Sequence, residues 1–461
     1  MFLHDSLSNR LKKIIKTKKV IKLFVCGPTV YDSMHIGHAR TYIFFDTLVR
    51  FLRSQNYKIE YLQNITDIDD KIIERAQKLK INPLKFAVAQ TKDYKTISKK
   101  LNIISVDKYV NASSVISIII NQIKRLIDKG YAYETKNGVY FRVRKFKFYG
   151  ELSGQDLEAL RSGYRIELDK AKEDVFDFAL WKKTKDNQAI SWPSPWGSGR
   201  PGWHIEDTAI SEKYFGLQYD LHGGGVDLKF PHHEAEIAQA ESLSGKKPFV
   251  KIWLHTGFLT FNNEKMSKSL KNFITVKDFL TKYNADVLRF IVLSSSYRSS
   301  LSWNESLINQ SIASLLSIKS FLVYLKYKND KGDINKKIIS SINSFNKNFT
   351  SNLNDDMNTP KTIASIFEFI NNIESIKNIN KKSAKAIEEA IRNSLNILGI
   401  KMKINRVPKN IKDLIDKREV LRIVKDFNKA DKIRKEIEAL NFRLDDTDQG
   451  PILTHNNFIN G

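Results

Sequence analysis

The run Cys26-Gly27-Pro28-Thr29-Val30-Tyr31-Asp32-Ser33-Met34-His35-Ile36-Gly37-His38 constrains the fold more than any other part of the chain. Apolar residues Ile21 to Val25 precede it and read as a buried strand. Gly27-Pro28 ends that strand, and Ala39 to Leu52 resumes as an apolar-rich helix. The turn thus delivers two histidines to a helix N-terminus, whose free N–H groups and partial positive charge suit a phosphate. Gly37 has no side chain, so a flat ring can lie against its backbone. If helical, His35 and His38 face one way and can donate to one phosphate as its charge rearranges. Taken alone, the pattern also fits a strand–loop–helix carrying two incidental histidines.

At 461 residues the chain is too long for one ordinary core and predicts several domains. A hydrophobic content of 41% suffices for globular cores, and no apolar run reaches the length of a membrane span. The N-terminus lacks the apolar stretch of a secretory signal; its basic character leaves a mitochondrial presequence open, with little room before Ile21. The single cysteine, Cys26, excludes an intrachain disulfide and points to a reducing, cytoplasmic setting. A net charge of +25 favours a polyanion, nucleic acid first, although richness in Lys, Ile and Asn is also what an AT-rich genome produces.

Tyr57 to Asn64 reads as a second strand, followed by a helix start at Asp69-Asp70. Thr66 and Asp67 fall at that strand's C-terminal edge, where open α/β sheets place ligands. Ile81 to Lys129 reads as mostly helical. Tyr131–Glu134 and Val139–Val143, joined through Asn137-Gly138, form a hairpin signal. Asn111 to about Arg200 reads as an insertion between two halves of a nucleotide-binding sheet. Trp192 to Asp207 is too rich in Gly, Pro and Trp for a regular element and reads as an ordered loop entering a site. Asp220 to His222 ends a strand, and Gly223 to Gly225 let backbone approach a nucleotide. His232 and Glu236, four apart on a helix, suit two ligands of one metal, and equally a solvated pair. Lys251 to Phe261 looks like another strand. The loop Lys265-Met266-Ser267-Lys268-Ser269 offers two lysines to close over a triphosphate. Ser306 to Ile400 reads as an amphipathic helix bundle, Lys401 to Lys409 as a linker, and Arg418 to Leu440 as one basic helix before a short polar tail.

The histidine pair and the lysine loop, in this order and separation, resemble the two signatures of class I aminoacyl-tRNA synthetases. Longer segments resemble the cysteinyl-tRNA synthetase family over nearly the whole chain: FVCGPTVYDSMHIGHAR (24–40), NITDIDDKI (64–72), YGELSGQDL (149–157), DFALWK (177–182), SPWGSGRPGWHIE (194–206), HGGGVDLKFPHHEAEIAQ (222–239), KMSKSLKNF (265–273) and ADVLRF (285–290). The resemblance implies an α/β protein with a Rossmann-type nucleotide-binding catalytic domain in two halves (1–110 and 201–250) around a connective insertion (111–200). A stem-contact region with the lysine loop (251–305), an all-α tRNA-binding bundle (306–400) and a small anticodon-binding domain (401–461) would follow. The implied reaction joins L-cysteine to AMP using ATP with Mg²⁺, then moves the cysteinyl group to the terminal adenosine of tRNA(Cys). The implied enzyme is cytoplasmic, monomeric and without a membrane.

Carried over by residue, the resemblance makes His35, His38, Lys265 and Lys268 catalytic, and places Gly37, Gly224, Asp227 and Ser267 around ATP with them. Thr66, Trp203 and His222 would line the cysteine pocket. The family selects cysteine with a zinc ion on two cysteines, a histidine and a glutamate, which map to Cys26, Asp207, His232 and Glu236. Asp207 is the departure: it stands where the family has its second cysteine, and this chain has no other thiol to replace it. Aspartate keeps the charge and can bind zinc, giving a harder site; alternatively zinc is lost and Asp207 binds the substrate amine. Arg422, Phe427, Asp431 and Asp446 match anticodon-reading positions, with phenyl in place of indole at Phe427. Two rival readings are a cysteine–amino-sugar ligase of thiol biosynthesis, which needs no anticodon domain, and a catalytically inactive RNA-binding derivative, which needs no histidine pair.

Overall fold

The computed structural model describes residues 1–156, 171–184, 190–261, 264–265, 273–447 and 450–459. The chain forms two compact units. The first is Met1–Leu259 with Ser267–Val276 and Tyr297–Ser300; the second is Thr260–Met266 with Lys277–Ser296 and Leu301–Gly461.

The first unit opens with an antiparallel hairpin, β1 (Phe2–Asp5) and β2 (Arg10–Lys13). Then come β3 (Ile21–Val25), β4 (Ile59–Ile65) and β5 (Lys108–Asn111), all parallel neighbours. A separate antiparallel sheet interrupts them in sequence: β6 (Ala132–Thr135), β7 (Gly138–Phe141), β8 (Phe178–Lys183) and β9 (Gly199–Pro201). The chain returns to the parallel sheet with β10 (Tyr219–Gly225) and β11 (Val250–Thr256), in the order β11-β10-β3-β4-β5. Leu23, Phe24 and Val25 of β3 are all fully buried, as a strand covered on both faces requires, so no polar alternation marks it. The direction of winding reverses between β3 and β10, which opens a crevice at the carboxyl ends of those two strands.

Several sequence expectations change here. The stretch Ile81–Lys129 is mostly helical as expected, but β5 divides the helices Pro83–Lys100 and Ile116–Asp128. A four-residue edge strand is too short for a periodic signal; pairing with β4 decides it. The segment Trp192–Asp207 is only partly a loop: Gly199–Pro201 pairs with β8, and Trp203–Tyr214 is a helix. The strand expected to end at His222 runs on through all three glycines, held by parallel pairing to β11.

In the second unit the helices Glu305–Leu325, Lys336–Asn354, Thr359–Glu374 and Lys381–Ile397 form the expected bundle, with Phe345 and Phe369 stacked at 4.4 Å. Each starts on an asparagine whose side chain accepts a backbone N–H: Asn304, Asn335, Asn358 and Asn380. The asparagine richness therefore has a structural use. Glu305–Leu325 is long and apolar enough to cross a membrane by length and composition, contrary to the sequence reading; its buried Ile308, Ile312, Leu315 and Leu322 belong to the unit's core. The expected single basic helix is two, Lys409–Ile423 and Phe427–Ala439, because Asp426 caps a new start by accepting from Lys429 N. The polar tail is a hairpin, β15 (Phe442–Thr447) with β16 (Gly450–His455), and Leu444 and Leu453 close a small core with Ile411 and Ile437. A short sheet precedes the bundle, made of β12 (Leu259–Phe261), β13 (Glu264–Lys265) and β14 (Leu301–Trp303).

Candidate active site and metal cradle

The signature turn leaves β3 at Val25 and becomes the helix Ile36–Ser54. His35 is its N-cap: Nδ1 accepts from the backbone N–H of His38 at 3.2 Å. The two imidazoles stack, centroids 3.5 Å apart and 24° from parallel. The ring that lies against Gly37 is that of His35, which a Cβ there would meet at 2.9 Å. Burial, then His35, holds His38 neutral well below the ordinary imidazole range. Gly224 lies in the last turn of strand β10 beside this crevice, and Asp227 is exposed just beyond it. Lys265 belongs to β13 by its backbone; Ser267 and Lys268 lie outside the described residues.

Behind the turn, Cys26, Asp207, His232 and Glu236 converge in the core. Cys26 Sγ is 3.2 Å from Asp207 Oδ2 and 3.8 Å from Glu236 Oε1. His232 Nε2 is 3.1 Å from both Asp207 Oδ2 and Glu236 Oε1. These four donors lie within 4.8 Å of one another. Three come from three elements: Cys26 from the end of β3, Asp207 from the first turns of Trp203–Tyr214, Glu236 from Glu234–Ser244. His232 comes from a widened π-helical turn, Lys229–His233. That turn also brings in His233, whose Nε2 is 3.2 Å from Cys26 Sγ and 4.0 Å from Glu236. Helical spacing admits both histidines, His232 four and His233 three residues before Glu236, although the sequence reading took only the first. Cys26, His222, His233 and Glu236 thus make a second, overlapping donor set.

The far nitrogens of these rings are also held. His232 Nδ1 meets His204 Nδ1 at 2.9 Å, His233 Nδ1 meets His255 Nε2 at 2.8 Å, and His222 Nδ1 meets the Tyr219 hydroxyl at 2.5 Å. His204, His233, His255 and Tyr219 are the residues sequence reasoning missed; the density of histidines between 204 and 255 is their one local signal.

The cradle gathers acidic groups in a buried setting. Burial, then Glu236 and Asp207, pushes the Cys26 thiol above its ordinary range, and burial, then Asp207, raises the Glu236 carboxyl. Burial keeps His204, His222 and His233 neutral, and takes His255 down to about 3. Among the described residues, the ion-pair partners of Asp207 and Glu236 are histidines, and Glu236 Oε2 has no hydrogen-bond partner. One sulfur, one imidazole and two carboxylates in a closed pocket fit a divalent ion such as zinc.

Of the residues expected around cysteine, Trp203 and His222 touch this cradle and Thr66 lies near it at the end of the strand carrying Asn64. The Trp203 ring stacks on His232 at 4.2 Å and is 38% exposed, at the mouth of a cavity of about 500 Å³ that His204, Tyr149 and Phe230 also line. Thr66 is buried where β4 ends, bridged to Thr29. His222 is fully buried, with Nε2 3.2 Å from Cys26 Sγ.

In the second unit, Asp446 receives Arg418 in a two-pronged bond of 2.9 and 2.8 Å, Arg422 at 2.6 Å and Arg434 at 3.6 Å. Arg422 and Asp446 are therefore brought together. Phe427 is 57% exposed at the start of its helix, and Asp431 is exposed one turn further on.

Parallel sheet, switch-point crevice and histidine turn together define a class I aminoacyl-tRNA synthetase. The family model described as tRNA synthetases class I (C) catalytic domain matches residues 12–313, and the DALR domain matches 348–403. Methionyl-tRNA synthetase from Mycobacterium tuberculosis, solved with methionyl-adenylate, shares the fold at a TM-score of 0.60 and 15% identity, over 82% of this chain and 89% of that one. The cysteine–tRNA ligase of Thermoplasma volcanium is 44% identical over 97% of this chain and 98% of its own length. That of Carboxydothermus hydrogenoformans is 41% identical over 93% and 94%. The chain belongs to the cysteine–tRNA ligase family.

Proposed function

We propose that the chain activates L-cysteine with ATP to cysteinyl-AMP and transfers the cysteinyl group to the 3′-terminal adenosine of tRNA(Cys). The observation that carries this is the full-length match to cysteine–tRNA ligases, which includes the C-terminal region that an amino-sugar ligase would not need. The histidine pair in the crevice favours an active enzyme over an inert RNA-binding protein.

The cysteine carboxylate attacks the α-phosphorus in line and pyrophosphate leaves, so the protein supplies position and charge. A backbone N–H can only donate, so His35 Nδ1 is the bare nitrogen and its Nε2 carries the proton offered to phosphate. His38 stands beside it as a neutral donor. Lys265 and Lys268 hold the departing pyrophosphate, Mg²⁺ accompanies ATP, and Gly37, Gly224, Asp227 and Ser267 surround the nucleotide. Thr66, Trp203 and His222 enclose the amino acid.

Cys26, Asp207, His232 and Glu236 hold zinc. When bound, the ion supplies a soft contact that takes cysteine's thiolate and rejects serine's hard, high-pKa alcohol. Asp207 Oδ2 faces Cys26 Sγ and His232 Nε2, which supports a ligand role over direct binding of the amine. The bundle 306–400 and the domain 401–461 bind the tRNA body, with Arg422, Phe427, Asp431 and Asp446 at the anticodon. The enzyme works as a cytoplasmic monomer.

ATP–pyrophosphate exchange with cysteine and with serine, before and after metal stripping, tests this. Cysteine-dependent exchange that disappears on stripping and returns with zinc is expected. Exchange indifferent to metal would discard the zinc, and no exchange with either amino acid would discard the synthetase.

A further inference from the structure

A carboxylate at position 207 has two oxygens where a thiolate has one sulfur. Were both to bind one ion, they would occupy the extra position that a substrate thiol needs. The two oxygens of Asp207 have different neighbours. Oδ2 faces Cys26 Sγ at 3.2 Å and His232 Nε2 at 3.1 Å. Oδ1 accepts a 2.6 Å hydrogen bond from Asn64 Nδ2. The orientation of the Asn64 amide is dictated on its other side: the Gly27 N–H, able only to donate, reaches Asn64 Oδ1 at 2.5 Å, so the NH₂ must face Asp207. Asn64 is 2% exposed, so water does not compete for it, and its second acceptor, Thr66 Oγ1, is distant at 3.4 Å.

We infer that Asn64 is a positioning residue that occupies one oxygen of Asp207 and makes it a one-oxygen metal ligand, leaving a coordination position for the substrate thiol. This rests on the zinc reading of the cradle. It assigns the aspartate a partner that a cysteine at 207 would not need, since a thiolate has no second donor to restrain. The same amide also fastens the backbone beside Cys26, so a purely structural role is the rival.

A double-variant cycle on the full chain separates the two. Zinc dissociation constants are measured by chelator competition for the unmodified protein, Asn64→Ala, Asp207→Cys and the double variant, and visible spectra are recorded with Co²⁺ in place of zinc. Asn64→Ala is expected to weaken zinc by about tenfold or more beside Asp207, and by less than about threefold in the Asp207→Cys background. The Co²⁺ bands of the unmodified protein are expected to have four-coordinate intensity and to weaken in Asn64→Ala as the freed oxygen binds. Equal losses in both backgrounds would overturn the inference and leave the zinc site standing. A weak, five-coordinate Co²⁺ spectrum of the unmodified protein would overturn it even if the variants failed to fold. Failure of the unmodified protein to bind zinc or Co²⁺ would overturn the underlying reading.

Discussion

The molecule carries two charge clusters built on opposite plans. In the first unit Cys26, Asp207 and Glu236 are buried together among neutral imidazoles. In the second, Asp446 is gripped by Arg418, Arg422 and Arg434 near the surface. In the first cluster Cys26 and Glu236 are pushed toward their protonated forms by burial and by neighbouring acidic groups. In the second, the hydrogen bond from Arg418 holds Asp446 below the usual carboxylate range, against some opposing burial. A buried set of acids thus has unfavourable electrostatics that a bound cation would relieve, whereas at Asp446 one carboxylate aligns three arginines.

The largest effect expected is on the buried cluster of the first unit. Asp207→Ala should weaken zinc by at least about a hundredfold and remove cysteine-dependent exchange, as read by metal analysis and pyrophosphate exchange. Retained zinc would mean that Cys26, His222, His233 and Glu236 hold it instead. Next, His38→Ala should slow adenylate formation by roughly 10²–10³-fold with zinc content unchanged. A parallel loss of zinc would join turn and cradle into one network and break the contrast drawn above.

Asp446→Ala should leave zinc and adenylate formation alone but remove the two-pronged partner of Arg418, which is 3% exposed, leaving it Glu419 at 2.7 Å. The expected cost is about 1–3 kcal/mol to the C-terminal hairpin, seen as faster amide exchange in β15 and β16. The smallest effect concerns Lys319, which donates to the His455 carbonyl at 2.6 Å and is brought down to about 8 by burial. An unfolded lysine titrates near about 10.4, so between these values the unfolded chain binds more protons and stability rises with pH. A gain of no more than about 1 kcal/mol is expected from pH 8 to 10 after solvent screening, and Lys319→Met should flatten that slope in a denaturant titration.

The histidine turn was legible because its parts are adjacent: strand, breaker, cap and helix follow one another within residues 21–54. His232 and Glu236 were legible as a candidate metal pair from their spacing, whereas Cys26 and Asp207 were joined to them by resemblance alone, since no local pattern links those two across 181 positions. His233 stands three residues before Glu236, a spacing as compatible with one helical face as that of His232, and only its contact with Cys26 Sγ at 3.2 Å distinguishes it. The strand β5 and the C-terminal hairpin escaped because short edge strands acquire their identity from the partner they pair with.

By itself the sequence determined the family, the nucleotide-binding turn, the helical bundle and the presence of a single thiol, Cys26, where the resemblance implies two. Those properties reside in local order and composition. Only the tertiary structure decided that Asp207 has one oxygen in the cradle and one on Asn64, a contact across 143 positions. Carboxylate orientation depends on which donors the packed sheet brings to each oxygen, and that is set by the pairing of distant strands.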